Sequence, residues 1–162
     1  MSAETREKLF ELLQGFTTAM LVTRAGDGML HARPLAIAHL KPDADAYFST
    51  SIASPKIAEI EADPRIVLTF QNASQYAAIQ GRAAVVRDRA LIEKLWSDTW
   101  RVWFPGGKDD PDLCLLKIDA EFAEYWDNSG FQGIKFAFQS VKAIITGQPP
   151  DKDDRQSAKV NL

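Results

Sequence analysis

Residues 47–64 read YFSTSIASPKIAEIEADP, so Ser49, Thr50, Ser51, Ser54 and Lys56 gather hydroxyl donors and an ammonium within a few positions. The sequence predicts that a helix begins at Pro55. Ser54 stands at the cap position, and a proline at the first helical position gives up an N–H that has no intrahelical partner anyway. A phosphate monoester is held by such a set, because the first helical turn adds free N–H groups and the helix dipole favours an anion there. The same spacing also describes an ordinary capped helix, and a serine and a lysine alone do not separate the two readings.

Arg33 supplies a second cation. In residues 29–40 side chains of an extended strand alternate, so His31, Arg33, Leu35, Ile37 and His39 share one face. An arginine among apolar neighbours needs an anion, which is either a ligand or one of the 22 acidic residues of the chain.

The elements that position these groups are legible in outline. With 162 residues, 46% of them hydrophobic and 25% charged, the chain has ordinary globular composition and is long enough for one substantial core. A net charge of −3 argues against a nucleic-acid module with a basic face. A single cysteine, Cys114, excludes a disulfide framework and a cysteine-built zinc site within one chain, and two histidines argue against a histidine-rich metal site. No run approaches the roughly 20 apolar residues that span a bilayer, and the opening MSAETREKLFELL reads as neither a signal nor a transit peptide, so a cytoplasmic protein without membrane contact is expected.

Leu9, Leu12, Leu13 and Phe16 space as one helical face. Residues 16–25 and 29–40 flank Gly26-Asp27-Gly28 as a hairpin, and 46–50 make a third strand after a Pro-Asp turn. After the helix from Pro55, which Asp63-Pro64 stops, residues 65–71 and 76–87 form a second hairpin, 91–100 a helix carrying Trp96 and Trp100, and 113–127 a long strand. Ile134, Phe138, Val141 and Ile145 predict a further helix with Gly147 as its C-cap. One domain over 1–147 is expected, with 148–162 a flexible tail or an arm on a second subunit. Strands arriving as hairpins, with helices outside them, predict a mainly β, small antiparallel barrel.

The order H-A-R-P-L, then Y-F-S-T-x-x-x-S-x-K-x-x-E-I-x-x-D-P, L-T-F-Q, Y-x-x-I-x-G-R-A and A-E-Y-W resembles the pyridoxamine-phosphate-oxidase-like flavoproteins. The W-x-x-x-W-x-x-W-F-P-G-G-K-D-D-P block of residues 96–111 is similar to their general-stress-protein branch. The resemblance implies an FMN-binding split β-barrel, Greek-key-like, working as a homodimer with flavin in two clefts between subunits; FAD is the alternative cofactor. It implies that Arg33, Pro34, Leu35 and Ala36 run beside the flavin. It places the family's aromatic-threonine pair on Ser49 and Thr50, so only the threonine is kept, and its serine-arginine-lysine phosphate clamp on Ser54, Pro55 and Lys56, so the clamp arginine is lost. A flavin-contacting glutamine falls near Tyr76, with Gln75 beside it, and Trp126 matches a tryptophan that reaches the flavin. The oxidases' substrate-binding R-L-H-D-R is missing, because residues 127–135 read DNSGFQGIK. Vitamin B6 oxidation is therefore not the expected activity.

The expected function is FMN-dependent oxidoreduction with a small redox partner such as NADH, NADPH or a flat aromatic; the alternative is a flavin carrier or sensor without turnover. No catalytic side chain is singled out. Trp103, beside Phe104-Pro105-Gly106-Gly107, is the candidate to cover the cleft, while Trp96 and Trp100 read as core. Cys114, in an apolar run, reads as a buried small hydrophobe, Gly81 as a bulge or close backbone approach, and Asp109, Asp110 and Asp112 as a solvated loop.

Overall fold

The computed structural model describes residues 3–129 and 157–162. Three helices, α1 (Ala3–Gln14), α2 (Pro55–Ala62) and α3 (Arg89–Leu95), surround strands β1 (Thr18–Arg24), β2 (Leu30–Leu40), β3 (Ala46–Ser51), β4 (Arg65–Gln71), β5 (Gln75–Val86), β6 (Leu113–Asp127) and β7 (Ser157–Asn161). All pairings are antiparallel, in the order β3-β2-β1-β4-β5-β6-β7, and a β3–β6 pairing closes the first six into a barrel. This is the mainly β barrel that the hairpin pattern predicts. The connection from β3 to β4 is α2, which packs against β1 and β5.

The inward residues follow the period of two. Leu21, Phe48, Leu68, Ile79, Leu116 and Ile118 are fully buried in the barrel, and Leu9 and Leu13 bring the apolar stripe of α1 onto the same core. A second cluster, Ile92, Trp100, Phe104, Leu113 and Leu115, lies outside it. Thus β6 begins Leu113-Cys114-Leu115-Leu116, buried on both faces, and alternates only further on. Its length lets it serve two partners: residues 113–118 pair with β3, and residues 122–126 with β7. At Gln80/Gly81 the register of β5 against β6 shifts, and a Cβ on Gly81 would lie 2.2 Å from the Asp119 carbonyl oxygen. Gly81 is the close backbone approach foreseen in the sequence.

Two expectations change. The helix over 91–100 stops at Leu95, because Trp96 turns extended (φ −53°, ψ 135°) and Trp100 sits in a separate 3-10 turn, Asp98–Val102. The Trp96 indole N–H donates to Asp98 at 3.1 Å, pinning that break. Trp100 is nonetheless buried, with Trp96 edge-on to it at 5.5 Å between ring centroids. Of the C-terminal residues, expected as a flexible tail or an arm on a second subunit, Ser157–Asn161 form β7 against β6. Val160 there is fully buried, and Arg6 of α1 donates to the Asn161 carbonyl at 3.1 Å. Alternation Ala158-Val160-Leu162 against β6 overrides the polar composition of the tail. The helix expected from Ile134 to the Gly147 cap lies outside the described residues.

Replacing Gly81 with alanine drives a methyl group into backbone that cannot move aside. The expected result is a loss of about 2 kcal/mol or more of folding stability, at the upper end of the cost of overpacking, read as a lower urea midpoint; an unchanged midpoint would contradict the close approach.

Candidate functional site

The connection from β3 into α2 forms one wall of a cleft. Thr50 points inward at the end of β3 and is 5% exposed. Ile52 and Ala53 then anchor to Asp112, the Ile52 N–H donating to its carbonyl at 2.8 Å. Ser54 occupies the cap position of α2 with extended backbone, yet its hydroxyl makes no cap hydrogen bond. It accepts from Lys56 Nζ at 2.6 Å instead, and Thr50 Oγ1 accepts from the same ammonium at 2.8 Å.

Lys56 is 7% exposed. Among the described residues it has two hydroxyls and no carboxylate within ion-pair distance. Burial, and then repulsion from Arg33, lower its pKa. A buried cation is normally paired, since desolvating it costs several kcal/mol. Among the described residues, only the Thr50 and Ser54 hydroxyls reach it within hydrogen-bond distance.

The opposite wall is the first half of β2. Residues 30–36 pair with β1, whereas the pairing with β3 begins only at Ile37, so among the described residues this half keeps one open edge. That edge explains Pro34, which has no N–H to give a ladder. The Ile37 N–H donates to the Thr17 carbonyl at 3.0 Å on the β1 side. By alternation, Ala32, Pro34 and Ala36 turn their main-chain groups to the open edge. Between this edge and the start of α2 lies a cleft of about 550 Å³, bordered by Arg33, Ser54, Lys56 and Glu59.

Arg33 does carry the acid partner that was one of its two readings. Its guanidinium donates to Glu59 Oε2 at 2.8 Å and to Thr23 Oγ1 at 2.7 Å, Thr23 donates to the same carboxylate oxygen, and His31 Nδ1 lies 2.7 Å from Glu59 Oε1. Burial opposes ionisation of Glu59, but the hydrogen bonds from Thr23, His31 and Arg33 outweigh it and bring the pKa to about 2. Glu59, which appears in the sequence reading only as the E of the K-x-x-E motif, and Thr23 are given no role there. The available signal was spacing: Glu59 follows Lys56 by three positions, one helical turn, and Thr23 is the polar member of the inward set Ala19-Leu21-Thr23.

The remaining expected residues divide. Leu35 packs on the barrel core, Ala36 is exposed, and Ser49 faces away from Thr50 on the other side of β3. Gln75, Tyr76 and Trp126 sit at the far end of the β5–β6 pair, where Tyr76 is directly opposite Trp126 and both are 41% exposed. The Gln75 amide donates to Asp127 at 3.3 Å. None of these three borders the Lys56 cleft in a single chain. Trp103 is 78% exposed and does not border that cleft within a single chain. Cys114 is buried, its thiol pushed up to about 11 by burial, as expected of an inert small hydrophobe. No group of metal-binding side chains occurs among the described residues, and no helix among them is long and apolar enough to cross a membrane.

The family model described as pyridoxamine 5'-phosphate oxidase like matches residues 4–151. General stress protein 26 of Bacillus subtilis is 28% identical over 123 residues, covering 73% of this chain and 85% of that one. The crystal structure of the general stress FMN/FAD binding protein from Xanthomonas citri superposes with a TM-score of 0.68 at 31% identity, covering 80% of this chain and 92% of that one. The pyridoxamine 5'-phosphate oxidase-related, FMN binding protein of Nostoc punctiforme shares the fold, with a TM-score of 0.60 at 16% identity over 98% of this chain and 92% of that one.

The depressed pKa of Glu59 fixes a sign. Its contribution to stability is present above the ordinary carboxylate range near 4.5 and is lost as pH falls towards about 2. Relative to the native protein, Glu59→Gln should therefore be destabilised at neutral pH, with the difference shrinking to nothing near pH 2 in paired thermal melts. A difference independent of pH would sink the assignment.

Proposed function

The chain belongs to the pyridoxamine 5'-phosphate oxidase-like family, and from that premise we propose that it is a flavin-dependent oxidoreductase holding the riboflavin phosphate common to FMN and FAD. The observation that supports this most directly is the Lys56 ammonium, buried against two hydroxyls and, among the described residues, without a carboxylate at ion-pair distance. A phosphate completes that set. Ser54, diverted from capping, and the uncapped start of α2 would contribute to the same anion.

The other residues fit around it. Arg33 would meet the phosphate from the β2 side, and the open edge at Ala32, Pro34 and Ala36 offers main-chain groups to a polar ring edge. Thr50 holds the lysine. A flavin supplies two-electron chemistry through hydride transfer at its N5, while the protein supplies binding, orientation and electrostatics. Arg33 is held by Glu59 and Thr23, so its part is to fix charge.

A homodimer is the assembly that would bring Gln75, Tyr76 and Trp126 of one subunit to the cleft of the other, since they stand exposed and apart from it in one chain. The substrate arginine and histidine of the oxidases have no counterpart in residues 127–135. We therefore favour a reduced nicotinamide or a flat aromatic as redox partner over a pyridoxamine phosphate.

Titrating the purified protein with FMN while following absorbance, then adding NADH or NADPH, tests the reading. Saturable binding with rapid bleaching is expected, and Lys56→Ala should weaken binding by about tenfold or more, the loss of one charge-assisted contact. Binding without bleaching by either nicotinamide would assign a carrier or sensor instead, and undiminished affinity in Lys56→Ala would remove the phosphate from this cleft. Trp126→Leu should alter flavin fluorescence, and sedimentation should give a dimer.

A further inference from the structure

The phosphate cleft is short of positive charge. Arg33 and Lys56 bring two positive charges to it and Glu59 one negative, and the carboxylate stays ionised, so these three sum to one positive charge. A phosphate monoester carries about −1.5 to −2 at pH 7. The position beside Lys56 that could add a cation holds Pro55.

Among the described residues, the remaining titratable side chain on the cleft is His31. It stands opposite Thr23 in the register of β2 against β1, its side chain is half-exposed, and its Nδ1 lies 2.7 Å from Glu59 Oε1. An ionised carboxylate only accepts, so Nδ1 carries the hydrogen of that contact. In a neutral ring that hydrogen is the one available, and Nε2 is left as a lone pair, without a partner among the described residues. A lone pair repels a phosphate oxygen, which is itself an acceptor. With a proton on Nε2 the ring donates to that oxygen instead, and Glu59, on the far nitrogen, stabilises the imidazolium.

The other charges around the ring do not share this part. Arg33 on the same strand face and Lys56 on α2 oppose a third positive charge, Asp63 at the end of α2 is bonded to Arg65, and Arg24 alternates to the outer face of β1. A bound phosphate is the anion that offsets Arg33 and Lys56.

We infer that His31, oriented by Glu59, is a phosphate-binding residue of the cleft and that it takes a proton from solvent as the phosphate enters. This rests on the flavin reading above. His31 supplies the charge that Pro55 does not, so Glu59 neutralises one cation of the site and recruits another. Binding is thereby coupled to proton uptake. The part of the affinity that belongs to His31 grows as pH falls through the ordinary imidazole range, roughly pH 5 to 8, and it acts on the phosphate and not on the ring system.

The test is calorimetric titration of the full chain, freed of any bound flavin, with FMN and with riboflavin, in buffers of different ionisation enthalpy, so that the heat reports the protons taken up. His31→Asn keeps an amide N–H for Glu59 and removes the second ring nitrogen. It should weaken FMN about tenfold at about pH 6, the loss of one charge-assisted contact, and less than about twofold at about pH 8.5, where an imidazole is ordinarily neutral. Proton uptake on FMN binding at about pH 7 should fall by about half a proton, with riboflavin affinity unchanged. Uptake by Lys56 or by the phosphate itself is common to both proteins and cancels in the difference. His31→Lys, a fixed cation, should hold FMN tightly at both pH values. Equal uptake by the native protein and His31→Asn, a loss of FMN affinity that is the same at both pH values, or an equal loss for riboflavin would each overturn the inference and leave the flavin reading intact. Failure of the native protein to bind FMN would overturn both.

Discussion

The structure turns on an ammonium group that is buried, among the described residues, without a carboxylate at ion-pair distance. Lys56 is enclosed by the end of β3, the turn into α2 and the open edge of β2, and among the described residues only the hydroxyls of Thr50 and Ser54 reach it. Leaving a desolvated cation so is costly, and natural chains keep such costs at functional sites. The cap of α2 is given up for the same purpose, because the Ser54 hydroxyl that would close the helix start turns to the lysine. Glu59, a turn further along, could have neutralised Lys56 but is committed to Arg33, Thr23 and His31.

That arrangement needs the barrel to be closed on one side and open on the other. The first half of β6 closes it against β3 and, through Asp112, anchors the loop that leads to Ser54. The opening arises because β3 is short and meets β2 only from Ile37 onward, which frees the edge at residues 30–36. Pro34 fits there and would not fit a doubly paired strand. The second half of β6, held by β5 and β7, carries Trp126 well away from the cleft, so the face beside Tyr76 is left to solvent in one chain. Fold and site are thus two consequences of one uneven pairing.

Much of this was legible in the residues. The strands and α2 lie within a few residues of where alternation, Gly-Asp-Gly, Ser-Pro and Asp-Pro put them, because those signals are local steric preferences. Lys56 with Thr50 and Ser54 was legible for a similar reason: all three sit within seven residues, and a turn brings them together whatever the rest of the chain does. Two kinds of feature were not. The break after Leu95 depends on an indole finding Asp98, and the order of the C-terminal strand depends on β6 offering it an edge, neither of which composition records.

What the sequence determined by itself was the chemistry available at the start of α2 and the kind of barrel that would carry it. The tertiary structure alone decided how the charges are shared. Glu59 lies 26 residues from Arg33 along the chain, and only the packing of α2 against β1 sets it between that guanidinium and Thr23. Coulomb interactions depend on distance in space and on the local dielectric, both products of packing. A list of residues can therefore name the cations of a site, but only the fold says which of them remains free for a ligand.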